Sequence, residues 1–272
     1  MINALSIDLE DWFCVYNFSK VIKKEDWDKY ELRVVKNTER ILDLLEKHKT
    51  EATFFVLGWI AERVPVLIRE IEERGHEIAS HGYSHTLLTK MTPAAFEQDL
   101  RKAIEVTKKC INSEIVGFRA PSFTITKKTM WAIDILKKHG FRYDSSIFPI
   151  SIHPDYGVRN GSLSIHSINS SMIEFPLSCV EVMGMRIPCG GGGYFRMYPF
   201  SMTRWFFKRC NEENRPAIFY LHSWEIDPSQ PKIKLNWFRK FRHYYNLDKT
   251  LDKLDRLLSE FEFTSVRKVL DL

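Results

Sequence analysis

Glu77-Ile78-Ala79-Ser80-His81-Gly82-Tyr83-Ser84-His85 is a short strand-like run that delivers two histidines four residues apart. If the chain turns helical just past the strand end, both imidazoles face one point, and imidazole is a preferred ligand for zinc and other divalent ions of borderline softness. The same spacing serves a solvated helix face, so the pair takes its meaning from what else the chain brings to strand ends. A catalytic metal site needs a third protein ligand and an open position. Ile7-Asp8-Leu9-Glu10-Asp11 offers carboxylates at the end of an N-terminal strand with no base beside them. His76-Glu77 imitates the start of a zinc-protease HExxH helix, but the second histidine would fall at Ser80. That register fails.

Outward from the histidines, strand and helix alternate. Residues 4–8, 51–57, 77–80, 115–118 and 141–143 read as short strands, and 35–47, 60–73, 93–112 and 127–139 as amphipathic helices between them. Thr92 before Pro93 marks a helix start, and Gly75 and Gly140 mark helix ends. Repeated strand–helix units argue for a parallel sheet or barrel whose site lies at the C-terminal strand ends. Residues 16–34 read as a long loop or lid over that end. Residues 149–186 break the rhythm and read as a β-hairpin excursion. The glycines of 190–193 lack the Lys-Ser/Thr of a phosphate loop, which leaves a mobile or closely approached backbone. A helix at 200–211, an apolar strand at 217–221 ending on His222, and a terminal helix at 247–261 complete the chain.

Composition narrows the function. At 272 residues, 44% hydrophobic and 28% charged, the chain can bury one large α/β core and is read as a single domain over 1–272. Five scattered cysteines without a CxxC pair suggest neither a disulfide framework nor a cysteine zinc site. The chain opens directly into a strand, with no basic n-region and no run of the roughly 20 apolar residues that span a bilayer, so a cytoplasmic location is expected. Forty Lys and Arg against 35 Asp and Glu leave +5, compatible with an anionic substrate or membrane surface but too weak to argue for nucleic acid.

Collected in order, the strand ends carry Asp8 with Glu10 and Asp11, His81 with His85, Arg119, Asp144 and His222. This set resembles the motifs of the nodulation-protein (NodB) type polysaccharide deacetylases, carbohydrate esterase family four. Five segments further resemble the exosortase-associated branch of that family: Ser6 through Trp12, Arg119 through Phe123, Gly191 through Arg196, Leu221 through Pro228, and Phe241 through Asn246. The resemblance covers nearly the whole chain. It implies an α/β fold, a distorted (β/α)7 barrel with a β-hairpin insertion, and removal of N-acetyl groups from the amino sugars of a poly- or oligosaccharide, on a carrier in exopolysaccharide or envelope assembly.

On that resemblance a divalent metal is held by two histidines and one carboxylate; zinc is expected, with cobalt, nickel, manganese and iron as alternatives. Asp8 is the expected general base, His222 the general acid, Arg119 the residue that holds Asp8, and Asp144 a support for the network around Arg119 or His222. Ser122, Tyr194, Arg196 and Trp224 are the expected substrate contacts. Two departures leave choices open. Asp8-Leu9-Glu10-Asp11 stands where many members carry adjacent aspartates, so the carboxylate ligand is Glu10, on the strand face of Asp8, or Asp11, in the loop. Ser122-Phe123 replaces the usual Pro-Tyr near the expected oxyanion donor. A small cyclic-amide hydrolase on the same barrel, with asparagine in place of the base, and a catalytically silent glycan-binding barrel are the competing readings. The basic and aromatic run 237–245 raises contact with a membrane surface or a phosphate-bearing lipid carrier.

Overall fold

Alternation along the first strand sets the layers of the molecule. In β1 (Asn3–Leu9) Leu5, Ile7 and Leu9 point one way and Ala4, Ser6 and Asp8 the other, and all seven residues are buried, as in a strand covered on both faces. The chain continues through α1 (Val34–Lys47), β2 (Thr53–Val56), α2 (Gly58–Arg63), α3 (Pro65–Glu73), β3 (Glu77–Ser80) and α4 (Pro93–Lys108). It then adds β4 (Gly117–Phe118), α5 (Trp131–Lys138), β5 (Tyr143–Asp144), β6 (His166–Ile168), β7 (Met172–Glu174), β8 (Cys179–Val182) and β9 (Met185–Pro188). Last come α6 (Gly192–Met197), α7 (Phe200–Glu212), β10 (Ile218–His222), α8 (Trp237–Tyr244), α9 (Thr250–Glu260), β11 (Phe263–Thr264) and α10 (Val266–Val269). This computed structural model describes residues 1–150, 157–168 and 172–272.

Seven strands lie parallel in the order β10-β1-β2-β3-β4-β5-β7, and β6 ends the sheet antiparallel to β7. The strand–helix alternation predicts a parallel sheet or barrel and the resemblance a distorted (β/α)7 barrel; the sheet is parallel and curls into a half-barrel of that kind. A smaller apolar core, with Ala4, Phe55, Ala79, Tyr143 and Tyr220, fills the inside of the curl. The larger core lies between sheet and helices, around Ile7, Phe54, Ile78, Leu100, Leu136 and Phe219. Because β1 pairs with β2 on one side and β10 on the other, both halves of the chain share one sheet. The C-termini of the seven parallel strands open toward the same end.

Several local expectations are corrected. Residues 60–73 are two helices: Val64 stands at φ −129° and ψ 56°, because the ring of Pro65 excludes the helical region for the residue before it. The 149–186 segment is more than an excursion, since β7 extends the parallel sheet beside β5, while β8 and β9 form a separate hairpin. The parts of that expectation at 151–156 and 169–171 fall outside the described residues. The terminal pair β11 and α10 was not anticipated; two residues of strand leave no readable period.

The glycine run closes the open edge of the curl. Tyr220 N–H donates to the Gly190 carbonyl at 2.7 Å, and Gly191 forms an isolated parallel bridge with Tyr220. Gly191 has φ 137°, and a Cβ there would overlap the Tyr220 carbonyl oxygen. Of the two uses expected for this run, close backbone approach is the one observed. Gly191→Ala is therefore expected to lower the unfolding free energy by at least about 2 kcal/mol in urea titrations; an unchanged midpoint would show that the edge does not depend on this approach.

Candidate active site

Register alone brings the chemistry together. Asp8 lies directly opposite His222 across the β1–β10 pairing, Ser80 opposite Phe118 across β3–β4, and Phe118 opposite Asp144 across β4–β5. Asp8, Glu10, His81, His85, Arg119 and His222 thus leave neighbouring strands at one end. All but Arg119, which lies buried behind Asp8, line the floor of a cavity of about 620 Å³, whose walls include Ser122, Tyr194, Trp224 and α8.

Glu10, His81 and His85 present one ligand atom each within 4.8 Å of one another, all three buried. His85 Nε2 stands 2.9 Å from Glu10 Oε2, yet that oxygen is buried without a hydrogen bond. His81 Nδ1 donates to the Arg119 carbonyl at 2.8 Å, which fixes the tautomer and leaves its Nε2 lone pair for a ligand. Burial holds His81 down at about 4. Burial alone would raise Glu10, but the charges of His85, His222 and His81 and the contact with His85 outweigh it and draw the carboxyl to about 2. A buried carboxylate beside two buried imidazoles, with His81 held neutral by burial, makes a ready divalent-cation donor set.

The segment carrying the histidines is not helical, contrary to the expectation from spacing. Gly82 at φ 71° and His85 at φ 52° turn it, and the Asp99 carboxylate accepts from the backbone N–H groups of Tyr83 and Ser84 at 2.8 and 3.2 Å. An anchored loop delivers the convergence that a helical turn was expected to give.

Asp11 is a correction. Its carboxylate accepts from the backbone N–H groups of Trp12, Arg33 and Val34 at 2.8, 2.7 and 2.9 Å, so it caps the start of α1 from a distance and stands apart from the histidines. Burial lifts it to about 6 despite those donors. Of the two carboxylates left open, Glu10 joins the cluster, because strand alternation puts it on the face of Asp8.

Asp8 Oδ1 accepts from Arg119 Nη1 at 2.7 Å, and Arg119 is itself fully buried. Its fork also donates to Ser6 Oγ, the Ser145 carbonyl and Ser145 Oγ at 2.9–3.0 Å, while its plane lies over the Phe55 ring at 4.0 Å. Five contacts leave the guanidinium one orientation.

His222 Nε2 is nearly equidistant from Asp8 Oδ2 at 3.7 Å and Glu10 Oε1 at 3.6 Å. Its Nδ1 contacts Glu225 Oε1 at 2.6 Å, and Glu225 Oε2 accepts from Arg196 Nε at 2.6 Å. Burial opposes protonation of His222, but the Glu225 hydrogen bond and the charges of Glu225, Glu10 and Asp8 prevail and raise it to about 9. Glu225 was missed from sequence. The legible signal was a carboxylate three residues past a histidine that opens a turn, the spacing of a capping box.

Three further expectations change. Arg196 lines the cavity but is buried, with Nη1 and Nη2 donating to the carbonyls of His243, Tyr245 and Arg242 and Nε to Glu225, so its guanidinium is already engaged as a brace. Trp224 is 6% exposed, stacked at 4.3 Å on His243, with Nε1 donating to Glu10 Oε1 at 3.3 Å; it holds a carboxylate as well as walling the cleft. Asp144 lies beneath the site. It accepts from Ser146 Oγ and N–H, and Ser146 Oγ accepts from Ala120 N–H beside Arg119. Asp144 and Glu174 are both fully buried, and burial raises both carboxyls, Asp144 to about 6 even though the Glu174 hydrogen bond pulls it down. Ser122, at φ 52°, and Tyr194 line the cavity.

A parallel α/β barrel with one carboxylate and two imidazoles at its strand ends is the frame of a metal-site barrel. Residues 27–143 match the polysaccharide deacetylase family model, and residues 145–271 match a domain of unknown function, DUF3473. The chain is 33% identical over 117 residues to a peptidoglycan deacetylase of Helicobacter pylori, covering 43% of this chain and 39% of that one. It thus spans less than half the length of the curated relatives it matches. The fold is similar to the Bc1960 peptidoglycan N-acetylglucosamine deacetylase solved with 4-naphthalen-1-yl-N-oxidanyl-benzamide (TM-score 0.52, 17% identity, 97% of this chain and 86% of that chain). It is also similar to a CE4 family pseudoenzyme from Bacillus anthracis (TM-score 0.51, 13% identity, 99% and 65%). The site straddles these matches: Asp8 and Glu10 precede the deacetylase match, His81, His85 and Arg119 lie inside it, and His222, Glu225 and Arg196 lie in the region of unknown function. No described helix is long and apolar enough to cross a membrane.

Glu225→Gln removes the charge that most favours protonated His222. The His222 ring should then titrate well below about 9 in NMR experiments. Because the pKa is raised on folding, this pair's contribution to stability is fully present below about pH 6.5 and lost as pH rises through about 9. A His222 titration unmoved in the variant would remove Glu225 from the account.

Proposed function

We propose that the chain is a metal-dependent hydrolase that removes N-acetyl groups from amino sugars of a poly- or oligosaccharide. The observation that carries this reading is the convergence of Asp8, paired to Arg119, with the Glu10, His81 and His85 donor set and with His222 at one floor of one cavity. The Glu10 Oε2 that faces His85 without a hydrogen bond and the fixed His81 tautomer fit a resident cation of borderline softness, with zinc first and cobalt, nickel, manganese or iron as alternatives. Held by Glu10, His81 and His85, such an ion supplies polarisation of an amide carbonyl and acidification of water. Asp8, oriented by Arg119, takes the proton of the attacking water. His222, protonated at Nε2 and braced at Nδ1 by Glu225, gives a proton to the departing amine. Acetate and a free amino sugar are the products. Ser122 and Tyr194 contact the sugar from the cavity wall.

Fold cannot make this choice, since a barrel of the same kind serves a pseudoenzyme. The residues favour hydrolysis: a silent glycan-binding barrel has no need of an oriented Asp8–Arg119 pair opposite His222, and a cyclic-amide hydrolase would carry asparagine at Asp8.

Wild type should release acetate from an N-acetylglucosamine oligomer, and Asp8→Asn should lower kcat by about 100-fold or more. A variant as active as wild type would overturn the base assignment. Metal analysis separates the carboxylates: Glu10→Gln should lose bound metal, while Asp11→Asn keeps it and loses about 1 kcal/mol of stability through α1. Metal retained by Glu10→Gln and lost by Asp11→Asn would reverse the ligand assignment.

A further inference from the structure

Between Pro228 and Leu247 the chain carries Lys232, Lys234, Arg239, Lys240 and Arg242 and no acidic residue. The mechanism above uses none of these five cations, and among the described residues none has an ion pair. Asn236 caps α8 through a hydrogen bond from the Arg239 N–H at 2.9 Å. On the inner side, His243 is fully buried, bonded to Gln230 at 2.9 Å and stacked on Trp224. The outer side is aromatic. Trp237 is 77% exposed, Phe238 63%, Phe241 39% and Tyr245 38%.

These rings form a ridge and are not splayed apart. Trp237 and Phe241 stack at 5.8 Å and 16°, and Phe241 meets Tyr245 at 4.7 Å, the i, i+4, i+8 sequence of one helix stripe. Across the cleft the first lip carries Lys20 beside Val21, which is 52% exposed, and Phe18 packs on His243 at 4.5 Å, joining the lips into one rim. Bases stack on separated aromatic faces, whereas a continuous apolar ridge bordered by cations matches the interface of an anionic bilayer, where rings sit at headgroup depth and Lys and Arg meet lipid phosphates. Nothing in the catalytic reading requires so much exposed aromatic area.

We propose that α8 and the 20–21 lip dock the protein on an anionic lipid surface, with the cleft opening onto that surface. Phe238, Arg239, Phe241 and Arg242 line the cleft as well as the rim, so docking brings a glycan held at the lipid surface to the metal-site floor. The benefit to catalysis rests on the deacetylase reading, but the docking itself does not.

The test is vesicle flotation with purified full-length protein. Wild type should float with phosphatidylcholine vesicles containing phosphatidylglycerol, and stay behind with phosphatidylcholine alone or at high salt. Trp237→Ser and Lys240→Glu, both outside the cleft lining, should each reduce flotation by about tenfold while acetate release from a water-soluble oligomer stays at the wild-type rate. Lys234→Glu provides a second charge reversal at a different point of the rim. Wild type left behind by anionic vesicles, variants that float as well as wild type, or a dimer in sedimentation that Trp237→Ser dissolves would each overturn the proposal, the last by giving the ridge to a second copy. Flotation without acetate release from any N-acetylated oligomer would sink the deacetylase reading and leave the docking standing.

Discussion

Two carboxylates, Asp8 and Glu10, leave the same face of one strand two residues apart, and both are buried. Like charges at that separation, away from water, repel strongly and each also loses its hydration. The surroundings of β1 read as the answer to this electrostatic problem. Asp8 has Arg119, itself made tolerable by Ser6, Ser145 and the Phe55 face. Glu10 has His85 and the Trp224 N–H, and shares His222 with Asp8. One Glu10 oxygen still lacks a hydrogen bond, and the two histidines beside it are placed to share a cation with it. A buried pair of acids is costly to stability and useful in a site. Its retention here is best explained by chemistry.

The partition of the chain between a recognised region and one of unknown function dissolves in three dimensions. β10, from the second region, lies against β1 in the register that sets His222 opposite Asp8. Arg196 reaches Glu225 from α6, and its other nitrogens tie down the carbonyls at the end of α8. The second region therefore supplies His222, its brace through Glu225 and Arg196, and one wall of the cleft. Each half alone would expose the edge of a parallel sheet and leave its share of the charges unpaired.

What sequence could read follows period and register. Strand alternation exposed β1, its inward carboxylates and the preference for Glu10, and apolar strand ends exposed His81, Arg119 and His222. What sequence could not read depends on partners far along the chain. Asp11 looked like a ligand because its true partners, the N–H groups of Arg33 and Val34, lie more than twenty residues away. Arg196 and Trp224 line the cleft, but charge and aromaticity do not say that each is also tied to a buried carboxylate, Glu225 for one and Glu10 for the other. Glu225 stood in a quoted motif without a role, since the hydrogen bond that gives it one needs the turn after β10 to form.

The two nitrogens of His222 face different tasks, and this separation gives the site its order. Nε2 looks into the cluster of Asp8 and Glu10, whose charge changes whenever a cation or substrate enters. Nδ1 looks away, to a carboxylate that Arg196 holds ionised at about 2 against the pull of burial. A cation at Glu10 would withdraw one of the negative charges that favour protonated His222, whereas Glu225 lies on the far side of the ring and keeps its own. Had the acid depended on Glu10 alone, filling the donor set would weaken it at the moment a proton is needed. The brace through Glu225 and Arg196 adds a charge that does not depend on Glu10, so the proposed acid keeps a partner of its own when the proposed donor set fills.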